Sequence, residues 1–474
     1  MTHVTGHSRY QSTLFPEVLD EAIPADHQVR VIDAFVDTLD LAALGFSKTV
    51  AEATGRPPYQ PGDLLKLYLY GYLNQLRSSR RLEREAQRNI EVQWLINRLS
   101  PAFKTIADFR KDHAQAIVGV CRAFTRFCRE QSLFGAELLA IDGTKIAAVA
   151  SRKKVLTPKR IAKMTAALDR RIAEYLAAMD EADRQEPPQA VAADVGAALE
   201  RLARQRDELQ EEAQSLARDG LKQRVKGEED AKLMRTARGH QVAYNAQIAV
   251  DGKHKLIAAS ELTNDSNDHQ QLHPMATQAK AALEVEQVTA VADTGYSNGE
   301  QGARCEKDGI TAIVPRAETV NPNGRQYFSR DLFTYDAQTD TWRCPADATL
   351  SLLTIWHTQN KKVYATAACA DCPLKRQCTR AARRIIIRDF YEDAREAMHR
   401  RATGDPGWMR HRREMAEHPF GTIKWLMGHP RFLVRGLTKA KAEFALAVLS
   451  YNLKRAITIL GVPALLQALQ PSSA

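Results

Sequence analysis

Two aspartates stand at the ends of largely apolar runs, where a carboxylate is unusual. Asp142 follows the run 138–141, and Asp293 follows the run 288–292. A carboxylate on a buried strand costs free energy unless it binds a cation or accepts hydrogen bonds. Asp-Gly is also a common turn signal, so Asp142 could simply end its strand. The strand pattern continues over 144–148, which argues against a simple turn.

A third acid lies in the segment 413–425, whose pattern is typical of a helix. Arg413, Glu417 and Lys424 then share one face, because residues three, four and seven apart are neighbours on a helix. Phe420 lies on the same face. Most such faces are solvated and carry ordinary charge pairs. The two aspartates favour another interpretation, in which the two cations clamp a phosphate beside the acid.

Three carboxylates that converge from two strands and a helix could hold two divalent cations. Two ions roughly 3.5–4 Å apart activate the attacking oxygen and stabilise the leaving oxygen in phosphodiester chemistry. Asp142, Asp293 and Glu417 are therefore predicted to hold Mg²⁺ or Mn²⁺, which prefer oxygen ligands. Glu414 is the main rival for the third position. Other nearby acids are interpreted as caps of turns or of the following helix: Asp251, Asp265 and Asp268.

The elements around these acids predict a mixed α/β sheet. Strands are predicted at 137–146, 241–251, 255–262, 288–296 and 310–315, with helices at 264–283 and 298–307. The first three strands are expected to be antiparallel, and helical crossovers join the later ones. This core comprises 136–156 and 226–316, and 389–474 adds the catalytic helix and the C-terminal helices.

Residues 1–135 are predicted to form an all-α domain. Several short helices with a basic turn resemble a helix-turn-helix-like DNA-binding module. Four arginines are the predicted phosphate contacts: Arg77, Arg80, Arg81 and Arg84. A solvated basic face of a helical bundle would give the same pattern for any one of them.

Residues 157–225 are predicted to form an inserted helical hairpin. Apolar residues recur every three or four positions on both sides of Glu186-Pro187-Pro188, which breaks the pattern. Such spacing is typical of a coiled-coil-like seam. Dimer contact, DNA contact and spacing all remain open as its role.

A second insert, 317–388, is rich in turns, short alternating runs and cysteine. Four of the seven cysteines are the predicted ligands of a structural Zn²⁺: Cys344, Cys369, Cys372 and Cys378. Four thiolates suit tetrahedral zinc. Unliganded thiols are the alternative, because the upstream position has one cysteine only.

Composition favours a basic, globular protein of two to four domains. The 474 residues carry a formal net charge of +10, and the pI is about 9.2. Nucleic acid is the commonest partner of such a chain, although the charge alone is weak evidence. The sequence has no apolar run of membrane-spanning length and no signal-peptide core at its beginning, so a cytoplasmic location is expected.

Together, these motifs resemble the DDE transposases of bacterial insertion sequences. The resemblance spans about 15–459 and depends on four elements: 141–145 (IDGTK), 244–251 (YNAQIAVD), 292–296 (ADTGY) and 417–424 (EHPFGTIK). The family signature places Tyr, Arg, Glu and Lys at fixed intervals, and Arg413, Glu417 and Lys424 match its last three positions. Arg410 stands in the tyrosine position, so no aromatic role is assigned there.

The resemblance implies an RNase H-like catalytic core and DNA transposition. Asp142, Asp293 and Glu417 would be the metal ligands, and Arg413 and Lys424 would bind phosphates near the element end. A freed 3′-OH would attack target DNA without a covalent enzyme intermediate. The implied partners are double-stranded DNA and a second copy of the chain, in the prokaryotic cytoplasm at the nucleoid.

Three other interpretations stay open at this point. One is an RNase H-like endonuclease without strand transfer. Another is a catalytically silent DNA-binding protein derived from a transposase, against which the three intact acids argue. The third is a structural zinc adaptor built on the second insert, which leaves the acids unexplained.

Overall fold

The structure is a computed structural model that describes residues 18–50, 57–183, 189–237, 239–316, 327–428 and 430–470. Its N-terminal part is helical. After a short turn at Leu19–Ala22, the helices are α1 (Gln28–Asp37), α2 (Pro61–Leu73), α3 (Ser79–Arg88), α4 (Ile90–Leu95), α5 (Phe103–Asp112) and α6 (Ala114–Glu130).

Local sequence explains where several of these helices begin. The His27 ring accepts a hydrogen bond from the Val29 N–H before α1, and the Asn89 side chain accepts from the first N–H groups of α4. Pro61 opens α2, where its missing N–H costs nothing. Nearly every residue of α2 is buried, as expected for a helix that is apolar around most of its circumference.

Eight strands and four helices follow along the chain. The strands are β1 (Leu138–Ala147), β2 (Val155–Leu156), β3 (Arg224–Val225), β4 (Lys232–Thr236), β5 (Gly239–Asp251), β6 (Ile257–Thr263), β7 (Val288–Val291) and β8 (Ile310–Ile313). The helices are α7 (Pro158–Asp183), α8 (Gln189–Arg218), α9 (Leu272–Leu283) and α10 (Gly299–Lys307).

Six of these strands form the predicted mixed sheet. Along the sheet, β5 is followed by β1, β7 and β8, and the other edge of β5 pairs with β4 and then β6. The pairs β1–β5 and β5–β6 are antiparallel, whereas β1–β7 and β7–β8 are parallel. Helices α9 and α10 make the crossovers to β7 and β8, because parallel neighbours need a long connection.

The helical hairpin leaves the sheet through the small β2–β3 ladder. Helices α7 and α8 contact each other, and Leu156, Ile161 and Leu216 form a buried cluster at their base. The predicted break at Glu186-Pro187-Pro188 lies outside the described residues.

The cysteine-containing insert is a separate five-stranded antiparallel sheet. Its elements are β9 (Thr334–Asp336), β10 (Thr341–Arg343), β11 (Thr349–Trp356), β12 (Lys361–Ala365), α11 (Lys375–Cys378) and β13 (Ile385–Asp389). It has its own small core, which includes Phe333, Trp342, Leu350, Tyr364 and Ile386.

Four helices complete the chain: α12 (Glu392–Gly404), α13 (Gly407–Leu426), α14 (Leu437–Leu460) and α15 (Val462–Ala468). Helix α14 contacts α2, α6 and β6. Phe124 of α6, Ile141 of β1 and Phe444 of α14 belong to one continuous buried cluster. The N-terminal helices and the main sheet therefore share a hydrophobic core.

In the described ranges, no single helix is long and apolar enough to cross a membrane. Only α14 and α15 taken together, across a 108° bend, reach that length and composition.

A buried ion pair joins the N-terminal helices to α14. Arg77 lies 2.9 Å from Glu443 Oε1 and donates to the Arg431 carbonyl, while Glu443 Oε2 accepts from the Leu433 and Val434 N–H groups. Both side chains are buried. This placement corrects the phosphate contact predicted for Arg77, because its guanidinium is engaged inside the protein.

Candidate active site

The structure places Asp142 and Asp293 at an opening between two parallel strands. The β1–β7 ladder ends at Ala140 and Val291, where β7 stops and β1 continues. Asp142 lies on the continuing part of β1. Asp293 begins the short turn 294–296, and its Oδ1 accepts the Gly295 N–H at 2.7 Å.

Arg412 of α13 brings these two aspartates together. Its Nη2 lies 2.5 Å from Asp142 Oδ1 and 3.4 Å from Asp293 Oδ2. One guanidinium therefore contacts both carboxylates and offsets part of their negative charge. Sequence reasoning missed Arg412 and chose its neighbour, Arg413. The only signal for Arg412 is its place on the inward face of α13, together with Met415 and Ala416.

The pKa of the Asp142 carboxyl is raised to about 6, chiefly by burial. Arg412 and the Gly143 N–H act to lower this pKa, whereas the charges of Asp293 and Asp268 act to raise it. The site thus concentrates negative charge in a partly dehydrated place. A cation is strongly favoured there, and Arg412 supplies one.

Among the described residues, no hydrogen bond or ion pair joins Glu417 to either aspartate. Met415 and Ala416 pack against Ala140, and Phe420 lies in the main core, which leaves Glu417 exposed on the flank of α13. Within the described part of the chain, Glu417 makes no hydrogen bond or ion pair. Its rival Glu414 is also exposed and lies 4.0 Å from the His411 ring.

The predicted phosphate-binding cations lie on the same flank of α13. Arg413 is exposed, and its Nε donates to the Met409 carbonyl. Lys424 is half-buried with its Nζ 5.8 Å from the centre of the Phe420 ring. Burial lowers the pKa of Lys424, and the charge of Asp142 opposes that change. Lys424 is therefore close enough to the site to sense its charge.

Asp268 is a further acid at the site, and its interpretation as a cap was wrong. Its Oδ1 accepts hydrogen bonds from Asn245 and Gln247 at 2.7 Å each and from Lys145 at 3.1 Å. The sequence held a signal for this network. Asn245 and Gln247 are polar residues two apart on an apolar strand, so they face the same side and need a buried partner.

The donor set fits divalent cations, although the described side chains do not form a closed metal site. Carboxylate oxygens are the preferred ligands of Mg²⁺, and a cationic group already lies between Asp142 and Asp293. Among the described residues, no group of three His, Cys, Asp or Glu side chains is close enough to hold a metal ion.

Three of the four predicted DNA-contacting arginines remain on the surface. Arg80, Arg81 and Arg84 are exposed on α3, and the Arg80 guanidinium lies 5.0 Å from the centre of the Phe103 ring. This face is accessible to a polyanion, unlike the position of Arg77.

The four cysteines of the insert line one cavity: Cys344, Cys369, Cys372 and Cys378. All four are free thiols. Burial raises the pKa of the Cys378 thiol, and the other three add to that effect. They are thus gathered at one place.

Comparisons with known families place transposase domains at both ends of the chain. Residues 17–112 match a transposase domain (DUF772), and residues 343–457 match a transposase DDE domain. The second match includes Glu417, whereas Asp142 and Asp293 lie between the two matches. No curated protein and no solved structure matches the chain.

Both matches are to transposase families, and the second is to a transposase DDE domain. Together they support a DDE transposase of the insertion-sequence type. The α/β core agrees with that class, and DNA is the substrate that the family implies.

Proposed function

We propose that this protein cleaves DNA at the ends of its element and transfers the freed 3′ ends to target DNA. The observation that carries the proposal is the pair Asp142–Asp293, shared by one cationic group at the opening between β1 and β7. Asp142, Asp293 and Glu417 would hold two Mg²⁺ or Mn²⁺ ions. Such ions activate an attacking oxygen and stabilise a leaving oxygen in phosphodiester chemistry.

The protein's own groups supply binding and orientation. The exposed Arg413 and the half-buried Lys424 lie on the flank of α13 that also carries Glu417, and there they bind phosphates near the element end. Arg80, Arg81 and Arg84 add a second basic surface on α3. Arg412 offsets part of the negative charge of the two aspartates when no metal ion is bound. Two ends must be held at once, so we propose a dimer or higher assembly on DNA.

We also propose that the second insert binds one structural Zn²⁺ through Cys344, Cys369, Cys372 and Cys378. The support is that all four free thiols line one cavity. Thiolate ligation would cross-link the short elements of a small sheet whose own core is limited. Elemental analysis of the purified protein tests this proposal directly.

The decisive experiment compares Asp293→Asn with wild type on labelled DNA that carries the element ends and on a target plasmid. We expect wild type to produce cut and end-joined molecules with Mg²⁺, and the variant to bind DNA without cutting it. Asp265→Asn is the matched control, because Asp265 accepts from Gln271 and, among the described residues, forms no hydrogen bond or ion pair with the site acids.

Each other outcome has a defined meaning. Cutting without end-joining by wild type would favour an endonuclease. Binding without cutting would favour a silent DNA-binding protein. Wild-type cleavage by the Asp293 variant would remove that residue from the site.

A further inference from the structure

A chain of buried polar side chains runs beneath the proposed site. The Tyr296 hydroxyl donates to Gln247 Oε1, and Gln247 Nε2 donates to Asp268 Oδ1 at 2.7 Å. Asn245 and Lys145 donate to the same Asp268 oxygen. Tyr296, Gln247 and Asn245 are each at most 1% exposed. Dehydrating so many polar groups is costly unless all are paired, so the network is held in one arrangement.

This network of polar side chains joins the two segments that carry Asp142 and Asp293. Tyr296 closes the turn that begins at Asp293. Gln247 lies on β5 directly opposite Gly143, the residue after Asp142. The backbone ladder between β1 and β7 ends before either aspartate. Side-chain contacts, including those of Arg412, therefore help to set the separation of Asp142 and Asp293.

Gly143 shows how closely the network of buried polar side chains approaches β1. A Cβ at this position would lie 2.3 Å from Gln247 Nε2 and 3.0 Å from both Asp268 Oδ1 and the Tyr296 hydroxyl. Any side chain at position 143 would displace the centre of the network. The glycine beside Asp142 is thus explained by the passage of this network and not by a turn.

Asp268 is oriented by these contacts. In the part of the chain that the structure describes, all three donors reach Oδ1 and none reaches Oδ2. Asp268 Oδ2 and Asp293 Oδ1 lie 3.8 Å and 2.9 Å from one point, the position that a Cβ on Gly295 would occupy. The free oxygen of Asp268 therefore faces the turn that carries Asp293.

We propose that Tyr296 and Asp268 are positioning residues that set the separation of Asp142 and Asp293 at which divalent cations bind. The inference rests on the proposed function and assigns roles that the acidic triad does not contain. A purely structural network would affect stability alone. A positioning network must also affect metal affinity, because partners of ligand-bearing groups typically change it about 10–100-fold.

The test measures Mn²⁺ binding to the metal-free, full-length protein by calorimetry, without DNA or turnover. Tyr296→Phe and Asp268→Asn are each expected to raise the Mn²⁺ Kd about 10-fold or more. Tyr70→Phe is the matched control, since it removes a tyrosine hydroxyl that is bonded to Glu91 and Asn89 in the N-terminal helices. Asp265→Asn is the control for Asp268. Both controls should bind Mn²⁺ as wild type does.

Mn²⁺ affinities within about twofold of wild type in folded Tyr296→Phe protein would overturn the inference. Tyr296→Phe tests the inference even if Asp268→Asn does not fold, because phenylalanine keeps the ring and removes only the hydroxyl. Asp142→Asn and Asp293→Asn distinguish a failure of the proposed function from a failure of the positioning role of Tyr296 and Asp268. If Asp142→Asn and Asp293→Asn bind Mn²⁺ as tightly as wild type does, the proposed function fails, and the inference about Tyr296 and Asp268 fails with it. If they lose Mn²⁺ while Tyr296→Phe and Asp268→Asn keep it, only this inference fails.

Discussion

Arg77 and Arg81 are four residues apart on one basic stretch, yet their replacement by alanine should have different consequences. Arg77 is buried against Glu443, whereas Arg81 is exposed on α3. Breaking a buried pair by removing one partner leaves an uncompensated charge and typically costs about 3–5 kcal/mol. Arg77→Ala should therefore lower the free energy of unfolding by about that amount. Arg81→Ala should change it by about 0.5 kcal/mol or less.

The two substitutions should affect DNA binding in the opposite order, with the larger effect for Arg81→Ala. Each lost phosphate contact reduces the slope of log K against log salt concentration by about 0.9. Arg81→Ala should show that reduction when binding to a DNA duplex is measured at salt concentrations between roughly 50 and 200 mM, where counterion release strongly affects affinity. Folded Arg77→Ala protein should keep the wild-type slope. Fluorescence anisotropy measures the binding, and urea unfolding followed by circular dichroism measures the stability.

Arg204→Ala is the control for the loss of an arginine from an ion pair. Arg204 and Glu200 form a pair at 3.1 Å in which both side chains are more than 70% exposed, and such pairs contribute about 0–1 kcal/mol. Arg77 is not a buried structural residue if Arg77→Ala unfolds like Arg204→Ala, or if Arg77→Ala lowers the salt slope while its stability is unchanged.

Three further predictions concern the site and the insert. The folded-state pKa of Asp142 is about 6, above its ordinary value of 3.8. The Asp142 carboxyl therefore favours the folded state at low pH, and this contribution to the free energy of unfolding is lost as the pH rises through about 6. Asp142→Asn removes this dependence, and the stability of the metal-free variant relative to wild type should grow by up to about 3 kcal/mol between pH 4 and pH 7; a difference that is constant with pH would contradict it. Gly143→Ala should cost about 1–3 kcal/mol in urea unfolding and weaken Mn²⁺ binding, because the new Cβ meets Gln247 Nε2; wild-type values for both would show that the network yields without cost. Cys372→Ser should lower the zinc content from one equivalent to near zero in elemental analysis, and Cys121→Ser, a change in the α6 core, should leave it unchanged.

The positions of Asp142 and Asp293 were predictable because they depend on local pattern. An apolar run followed by an acid predicts a strand with a carboxylate at its end, and the order of strands and helices predicts a mixed sheet. The approach of Asp142 and Asp293 to each other was a prediction from the three acids, and the parallel pairing of β1 with β7 that underlies it came from the structure. The place of Glu417 beside these acids stays a prediction.

Other assignments needed the tertiary structure. Helical spacing groups Arg413 with Glu417, but it does not say which face of α13 meets the sheet, and packing turns Arg412 inward instead. Arg77 looks like its surface neighbours in sequence, because its partner Glu443 lies on a helix more than three hundred residues away.

The sequence alone thus determined the class of protein, the strands that carry Asp142 and Asp293, and the basic character of the chain. Only the tertiary structure decided which charged residues serve the site and which hold the fold. Asp268, Gln247 and Tyr296 come from three separate elements, and no local periodicity links them. Their roles arise from hydrogen bonds between residues that are distant in sequence, and such contacts exist only once the sheet has formed.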